Sequence, residues 1–121
     1  MSIKYDLHSE SILIRNFVGK VTVLDIINSW EYLRENKLIN KKIKGVLNNL
    51  CDCELIMNVE SFEILISYIK QQDFMKGIKI AVMTDSPKII VFPILAEEQQ
   101  DTLKIKPFST FEAAVNWILI D

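Results

Sequence analysis

The two cysteines of the chain stand one residue apart, as Cys51-Asp52-Cys53, and Glu54 follows them. A Cys-x-Cys pair can ligate a soft metal ion, but structural zinc takes four protein ligands and catalytic zinc takes three. The single histidine, His8, is far away in sequence. Neighbouring carboxylates also raise a thiol pKa, which disfavours a reactive cysteine. We therefore expect neither a metal site nor a redox site, but one cysteine in the core and the other in a loop.

A second candidate is the segment Thr84-Asp85-Ser86-Pro87, which follows an apolar strand and begins a helix. Open α/β sheets bind ligands at the carboxyl ends of their strands, and helix N-termini attract anions. Asp85 is itself an anion, however, and no glycine lets a phosphate approach the backbone. Thr84, Asp85 and Ser86 are a candidate ligand loop, beside the simpler interpretation that Ser86 caps a helix with Pro87 in its first turn.

The composition excludes several classes of function. Fourteen Lys and Arg against sixteen Asp and Glu give a net charge of −2, so no basic field is available for nucleic acid. The longest apolar run, residues 89–96, is far shorter than the roughly 20 residues of a transmembrane helix. Residues 1–4 begin no signal peptide. We expect a cytoplasmic protein with reduced thiols, no transmembrane segment and no cofactor.

The hydrophobic periodicity predicts nine elements in the order β-β-α-β-α-β-α-β-α. Residues 3–8 and 11–19 alternate as a strand hairpin does, and a helical period follows from Val23 to Asn36, with Thr22 as its cap. The remaining elements are a strand at 43–50, a helix from Asn58 to a stop at Gly77, a strand at 78–84, a helix from Ser86, a strand at 102–108, and a last helix with a capping box from Ser109 to Glu112.

This order predicts one α/β domain over residues 1–121. Strands that alternate with helices form a mainly parallel sheet with right-handed crossovers. The expected architecture is a five-stranded sheet with an antiparallel N-terminal hairpin and four helices.

The chain also resembles the STAS superfamily, in particular its SpoIIAA-like (STAS/SEC14-like) branch. The resemblance is carried by "NFVGKVTVLDI", "KGVLNNL", "AVMTDSPK" and "FSTFEAAVNWI", and by their order and spacing over nearly the whole chain. It implies a small cytoplasmic α/β domain that regulates by binding.

The resemblance also implies a place for a phosphorylation switch. In bacterial anti-sigma-factor antagonists of this superfamily, a partner kinase phosphorylates a serine at the start of a helix, within a pattern close to Met-Asp-Ser-Ser-Gly. The matching segment here is Met57-Asn58-Val59-Glu60-Ser61, so Val59 and Glu60 occupy the acceptor positions. Ser61 is the remaining candidate phosphoacceptor, offset by one or two residues. We expect no kinase switch at the usual position.

The run "IIVFPIL", residues 89–95, has no polar residue, although it belongs to a predicted surface helix. One side of that helix can face the sheet, and the other would face water unless a partner covers it. Pro93 should kink or end the helix. The candidate interaction surface, centred on Phe92 and used by a homodimer or another protein, comprises Ile90, Val91, Phe92, Pro93 and Leu95.

The sequence thus favours a non-catalytic regulatory or protein-interaction module that forms a dimer. The alternative is a binding protein for a small apolar or lipid-like ligand, held between helices and sheet by some of the aromatic side chains. An enzyme ranks third, because no combination of nucleophile, base and oxyanion donor is visible.

Overall fold

The computed structural model describes residues 1–99 and 104–120, which form one sheet and its flanking helices. The strands are β1 (Ser2–His8), β2 (Ile12–Thr22), β3 (Gly45–Ile56), β4 (Lys79–Met83) and β5 (Lys104–Phe108). The helices are α1 (Val23–Glu35), α2 (Val59–Lys70), α3 (Pro87–Gln99) and α4 (Phe111–Leu119), with a short 3₁₀ helix at Asp73–Met75. None of these helices is long and apolar enough to cross a membrane.

The five strands lie in the order β1-β2-β3-β4-β5. β1 pairs with β2 in antiparallel fashion, and every other neighbouring pair is parallel. The predicted fold class is therefore confirmed. β3 and β4 lie inside the sheet and bury apolar side chains on both faces, as interior parallel strands do.

The direction of the crossovers determines which helices share a face. Each parallel crossover moves one strand further in the same direction, and right-handed crossovers of this kind place their helices on one side of the sheet. α1, α2 and α3 accordingly pack with the sheet around one large cluster, which we call the main core. α4 packs alone on the opposite face, against Ile12, Leu47 and Ala81.

Gly45 lets α4 approach the sheet closely. A Cβ atom at this position would lie 2.6 Å from Cγ2 of Ile118 in α4 and 2.8 Å from the carbonyl oxygen of Lys79 in β4. The Lys79 side chain then holds the end of α4, because its Nζ donates to the carbonyl oxygens of Trp117 and Ile120. A cation at this end of a helix also suits the helix dipole.

The N-caps agree with the sequence for α1 and differ by one residue for α4. Thr22 and Asp25 form a reciprocal capping box at the start of α1, as the sequence predicts. The prediction that Ser109 caps the last helix was wrong. α4 begins at Phe111, and the hydroxyl of Thr110 accepts from the amide of Ala113 at 3.2 Å.

The ends of three further elements differ from those predicted from the sequence. β3 does not end near residue 50, because β2 is long enough to pair with it as far as Ile56. α2 ends at Lys70, so Gly77, with its φ of 83°, follows the 3₁₀ helix instead of ending α2. α3 continues through Pro93 to Gln99. Pro93 is buried and lines the cavity beneath α3, so tertiary packing holds a residue that local preference would place at a helix end.

Gly45→Ala should lower the free energy of unfolding by about 1–3 kcal/mol, because the added methyl group overpacks the contact with α4. Urea denaturation measures the change. Adding Ile118→Ala should make the double variant less destabilised than the sum of the two single variants, since it removes one of the two clashes. Additive losses would show that α4 does not meet the sheet at Gly45.

Candidate functional site

The Cys-Asp-Cys stretch lies within β3 and not in a loop after it, which corrects the loop placement predicted for one cysteine. A β-bulge shifts the register of β2 against β3 between Asn16 and Val18, and leaves β3 with one extra residue. The bulge reverses the alternation of side chains along β3. Cys51 is therefore exposed, whereas Cys53 is half-buried against the main core.

Both thiols have raised pKa values. Partial burial is the largest cause for Cys51, followed by the carboxylates of Asp85 and Asp52. Burial also dominates at Cys53 and, with smaller contributions from Cys51 and Asp52, raises its pKa to about 11. The thiolate is the form that attacks electrophiles and binds metals, so this environment works against both reactions at neutral pH.

Other groups that could take part in chemistry are dispersed. Among the side chains that the structure describes, those of residues 1–96 and 104–120, no group of three His, Cys, Asp or Glu could hold a metal ion. His8, the single histidine, is half-buried, and its ring meets Phe111 of α4 edge-on at a centroid distance of 5.3 Å.

Ser61 is occupied in capping α2. Its amide donates to the Oδ1 atom of Asn58 at 2.8 Å, and its hydroxyl accepts from the amide of Asn58 at 2.9 Å. This reciprocal arrangement explains Ser61 structurally, at the third position of the helix. A phosphate group on Ser61 would have to break it.

The candidate ligand loop is held by hydrogen bonds to β5, to the Thr84 hydroxyl and to the first turn of α3. Thr84 is buried, donates its amide to the carbonyl of Phe108, and accepts from the amide of Ser86 through its hydroxyl. The carbonyl of Ser86 accepts from two amides in the first turn of α3. Asp85 is exposed and lies close enough to Cys51 to raise its pKa. These contacts explain the loop as the start of α3.

The apolar run on α3 divides into an inner and an outer side. Phe92 is half-buried, and its ring packs on Phe62 of α2 at a centroid distance of 5.4 Å. Pro93 is buried, and Ile90 and Leu95 are half-buried. The side chains that most face water are Val91, which is 48% exposed, and Ile94, which is 41% exposed.

A cavity of about 80 Å³ lies between the sheet and the three helices of the main core. Its walls are apolar side chains from α1, α2, α3 and strands β2 to β5, and Phe62, Phe92 and Pro93 are among them. Two polar side chains also line it, Arg15 of β2 and Asn48 of β3. Phe62, which follows the candidate phosphoacceptor Ser61, and Phe92, in the predicted interaction helix, therefore line the same cavity.

Arg15 is a cation that is only 2% exposed. Its Nε donates to Oδ1 of Asn48 at 2.6 Å, and its Nη1 donates to Oγ of Ser29 at 3.0 Å. The guanidinium also lies over the Trp30 ring, 4.0 Å from its centroid, and over the Phe17 ring at 5.0 Å. All four partners are neutral. Cation–π contacts of this kind strengthen when water is excluded.

The register of the sheet assembles this polar group. Tyr5, Arg15 and Asn48 are direct neighbours on β1, β2 and β3, and their side chains point to the helix-covered face. Ser29 of α1 reaches down to them and also hydrogen-bonds the Tyr5 hydroxyl at 2.8 Å. Asn48 donates in turn to the carbonyl of Ala81 in β4.

This polar group is not among the sites predicted above, although the sequence contains a signal for it. In "LIRNF", Arg15 alternates with Leu13 and Phe17, so it occupies a position on the buried face of the strand. In "VLNNL", Asn48 interrupts an otherwise apolar strand in the same way. A buried polar residue is more informative than an exposed apolar one.

Burial lowers the pKa of Arg15 to about 9, with small opposing effects from Tyr5 and Tyr68. The group therefore stays protonated at neutral pH. An unpaired buried charge costs several kcal/mol even after the surroundings relax. Two charge-assisted hydrogen bonds, at roughly 1.5–3 kcal/mol each, offset part of that cost.

The fold is similar to that of SpoIIAA-like proteins. A DUF3478-family protein of Shewanella loihica PV-4 with a SpoIIAA-like fold matches with a TM-score of 0.63 and 18% identity, over 97% of this chain and 92% of its own. The anti-sigma factor antagonist SpoIIAA in its unphosphorylated form matches with a TM-score of 0.54 and 9% identity, over 97% of each chain. No protein-family model and no curated protein sequence matches the chain.

We expect both thiols to react with iodoacetamide more slowly than free cysteine at pH 7.5, because their raised pKa values leave little thiolate. For Cys53 the difference should be at least tenfold. Asp52→Asn should accelerate both reactions, whereas Asp73→Asn, in the exposed 3₁₀ helix, should change neither. Peptide mass spectrometry over time measures each rate. A thiol as fast as free cysteine would contradict this description of the stretch.

Proposed function

We propose that this chain, which has the SpoIIAA-like fold, is a non-catalytic regulatory module that acts by binding in the cytoplasm. The fold likeness to the anti-sigma factor antagonist SpoIIAA supports a regulatory role, and the two free cysteines suit a reducing compartment. The observation that best supports a binding role is that apolar side chains are exposed on the outer side of α3. There, Val91 and Ile94 face water on a helix without a charged residue between Lys88 and Glu97.

The proposed occupant of this surface is a second copy of the chain. Val91 and Ile94 are three residues apart, so they lie on one side of α3. Between Lys88 and Glu97 this side of α3 carries no charged residue, so its apolar centre can meet its own copy across a two-fold axis, as in an isologous dimer. Phe92, the predicted centre of the surface, is half-buried. Its ring packs on Phe62 of α2 and so supports α3 from the side of the main core.

Val91→Glu should weaken the homodimer at least tenfold, because it buries an unpaired carboxylate at the centre of the interface. Ile64→Glu is the matched control, since Ile64 is 56% exposed on α2 and lies outside the proposed surface. Sedimentation equilibrium of the wild type and both variants, over a wide concentration range, measures the association. A wild type that stays monomeric at the highest concentration, or equal losses in both variants, would overturn the dimer.

A second candidate function is the binding of a small apolar ligand, which the cavity of the main core favours. Some of the cavity's lining residues, including Leu55, Met57 and Phe92, are half-buried, so the cavity approaches the surface there. Its volume is below that of many ligand pockets, which span roughly 300–1,000 Å³. A ligand would therefore be small, or only partly enclosed.

A further inference from the structure

Arg15 lines an apolar cavity in which it is the one charged side chain among the described lining residues. Among residues 1–96 and 104–120, whose side chains the structure describes, the ion pairs involve Arg34 and Lys76 but not Arg15. The nearest acceptors are the neutral oxygens of Asn48 and Ser29. In a medium of low dielectric constant, an anion brought beside such a cation gains far more than it would in water.

The guanidinium also keeps donors free for a ligand. Five N–H groups are arranged in a planar fork, and the hydrogen bonds to Asn48 and Ser29 use Nε and Nη1. Nη2 makes no hydrogen bond within the described residues. A planar acceptor with two oxygens fits this fork better than a single oxygen does.

The charge and the size of the cavity restrict the class of ligand that it could bind. Arg15 is the only charged side chain among the described residues that line it, so a ligand with one negative charge is balanced and a dianion is not. The cavity has a volume of about 80 Å³, which is below that of most ligand pockets. It admits a carboxylate with a few methylene groups. The rest of a chain would leave past the half-buried side chains of Met57 and Phe92.

We infer that this cavity binds the carboxylate of a medium-chain apolar acid, with its head on Arg15 and its chain between α2 and α3. The inference deepens the second candidate function, ligand binding, and rests on it. It is independent of the proposed dimer. It assigns to Arg15 the recognition of the ligand's charge and to the apolar walls the recognition of its chain.

A purely structural role for Arg15 predicts different behaviour. If Arg15 only fastens β2 to Asn48 and Ser29, its removal should destabilise the protein and no acid should bind. Replacement of Arg15 removes the hydrogen bonds to Asn48 and Ser29 under either role, so a loss of stability does not separate the two roles. If Arg15 also receives an anion, the wild type binds an acid and a variant with an uncharged side chain of similar length does not. Arg15→Met makes this distinction.

The experiment is calorimetric titration at pH 7.5 with sodium octanoate, octanol, octylamine and octyl phosphate. The wild type should bind octanoate, and should bind octanol and octylamine at least tenfold more weakly. Arg15→Met should lose at least tenfold in affinity for octanoate but little for octanol. Arg34→Met, which removes an exposed guanidinium on α1, is the matched control and should bind as the wild type does.

A second variant covers the case in which Arg15→Met does not fold. Val82→Phe places a ring in the cavity from β4 and leaves Arg15 intact, so it should abolish octanoate binding in a folded protein. Circular dichroism and urea denaturation report folding for each variant.

Each remaining outcome overturns a defined part of the inference. Equal affinity for octanoate and octanol would remove the role of Arg15 and leave an apolar ligand site. Tighter binding of octyl phosphate than of octanoate would replace the carboxylate by a phosphate. Binding of none of the four compounds would overturn both the inference and the ligand function, but not the regulatory module.

Discussion

The buried charge of Arg15 lies where β2, β3 and α1 meet, and it constrains how these three elements pack. A cation in the main core needs acceptors and polarisable rings, and the sheet register supplies Asn48 from the neighbouring strand while α1 supplies Ser29 and Trp30. These contacts fix how β2, β3 and α1 meet. Arg15 and Asn48 also line the cavity between the sheet and the helices.

The cavity beside Arg15 is covered by two helices, α2 and α3. α2 and α3 meet through Phe62 and Phe92, beside the cavity and above Arg15. A ligand held by Arg15 would lie beside both rings. Val91 and Ile94, the residues assigned to the proposed dimer, face water on the outer side of α3 and do not line the cavity. The inferred ligand and the proposed partner would therefore use different sides of one helix.

The sequence predicted the fold well because periodicity and local caps determine it. The alternation in β1 and β2, the helical stripe of α1 and its capping box at Thr22 all appear where expected. Predictions failed where tertiary contacts override local signals: β3 runs on to Ile56 because β2 pairs with it, and α3 passes through Pro93. Arg15 was missed because its importance comes from partners 14 and 33 residues away, which no local pattern brings together.

Among the described residues, Arg15 is a buried cation without an ion-pair partner, and we infer that it receives an anion. A crystal structure determined in the presence of octanoate shows whether it does. We expect a carboxylate within hydrogen-bond distance of Nη2, at roughly 2.7–2.9 Å, with its chain directed between Met57 and Phe92. A guanidinium that bonds only to protein groups and water, with octanoate elsewhere or absent from the cavity, would show that Arg15 does not bind the acid.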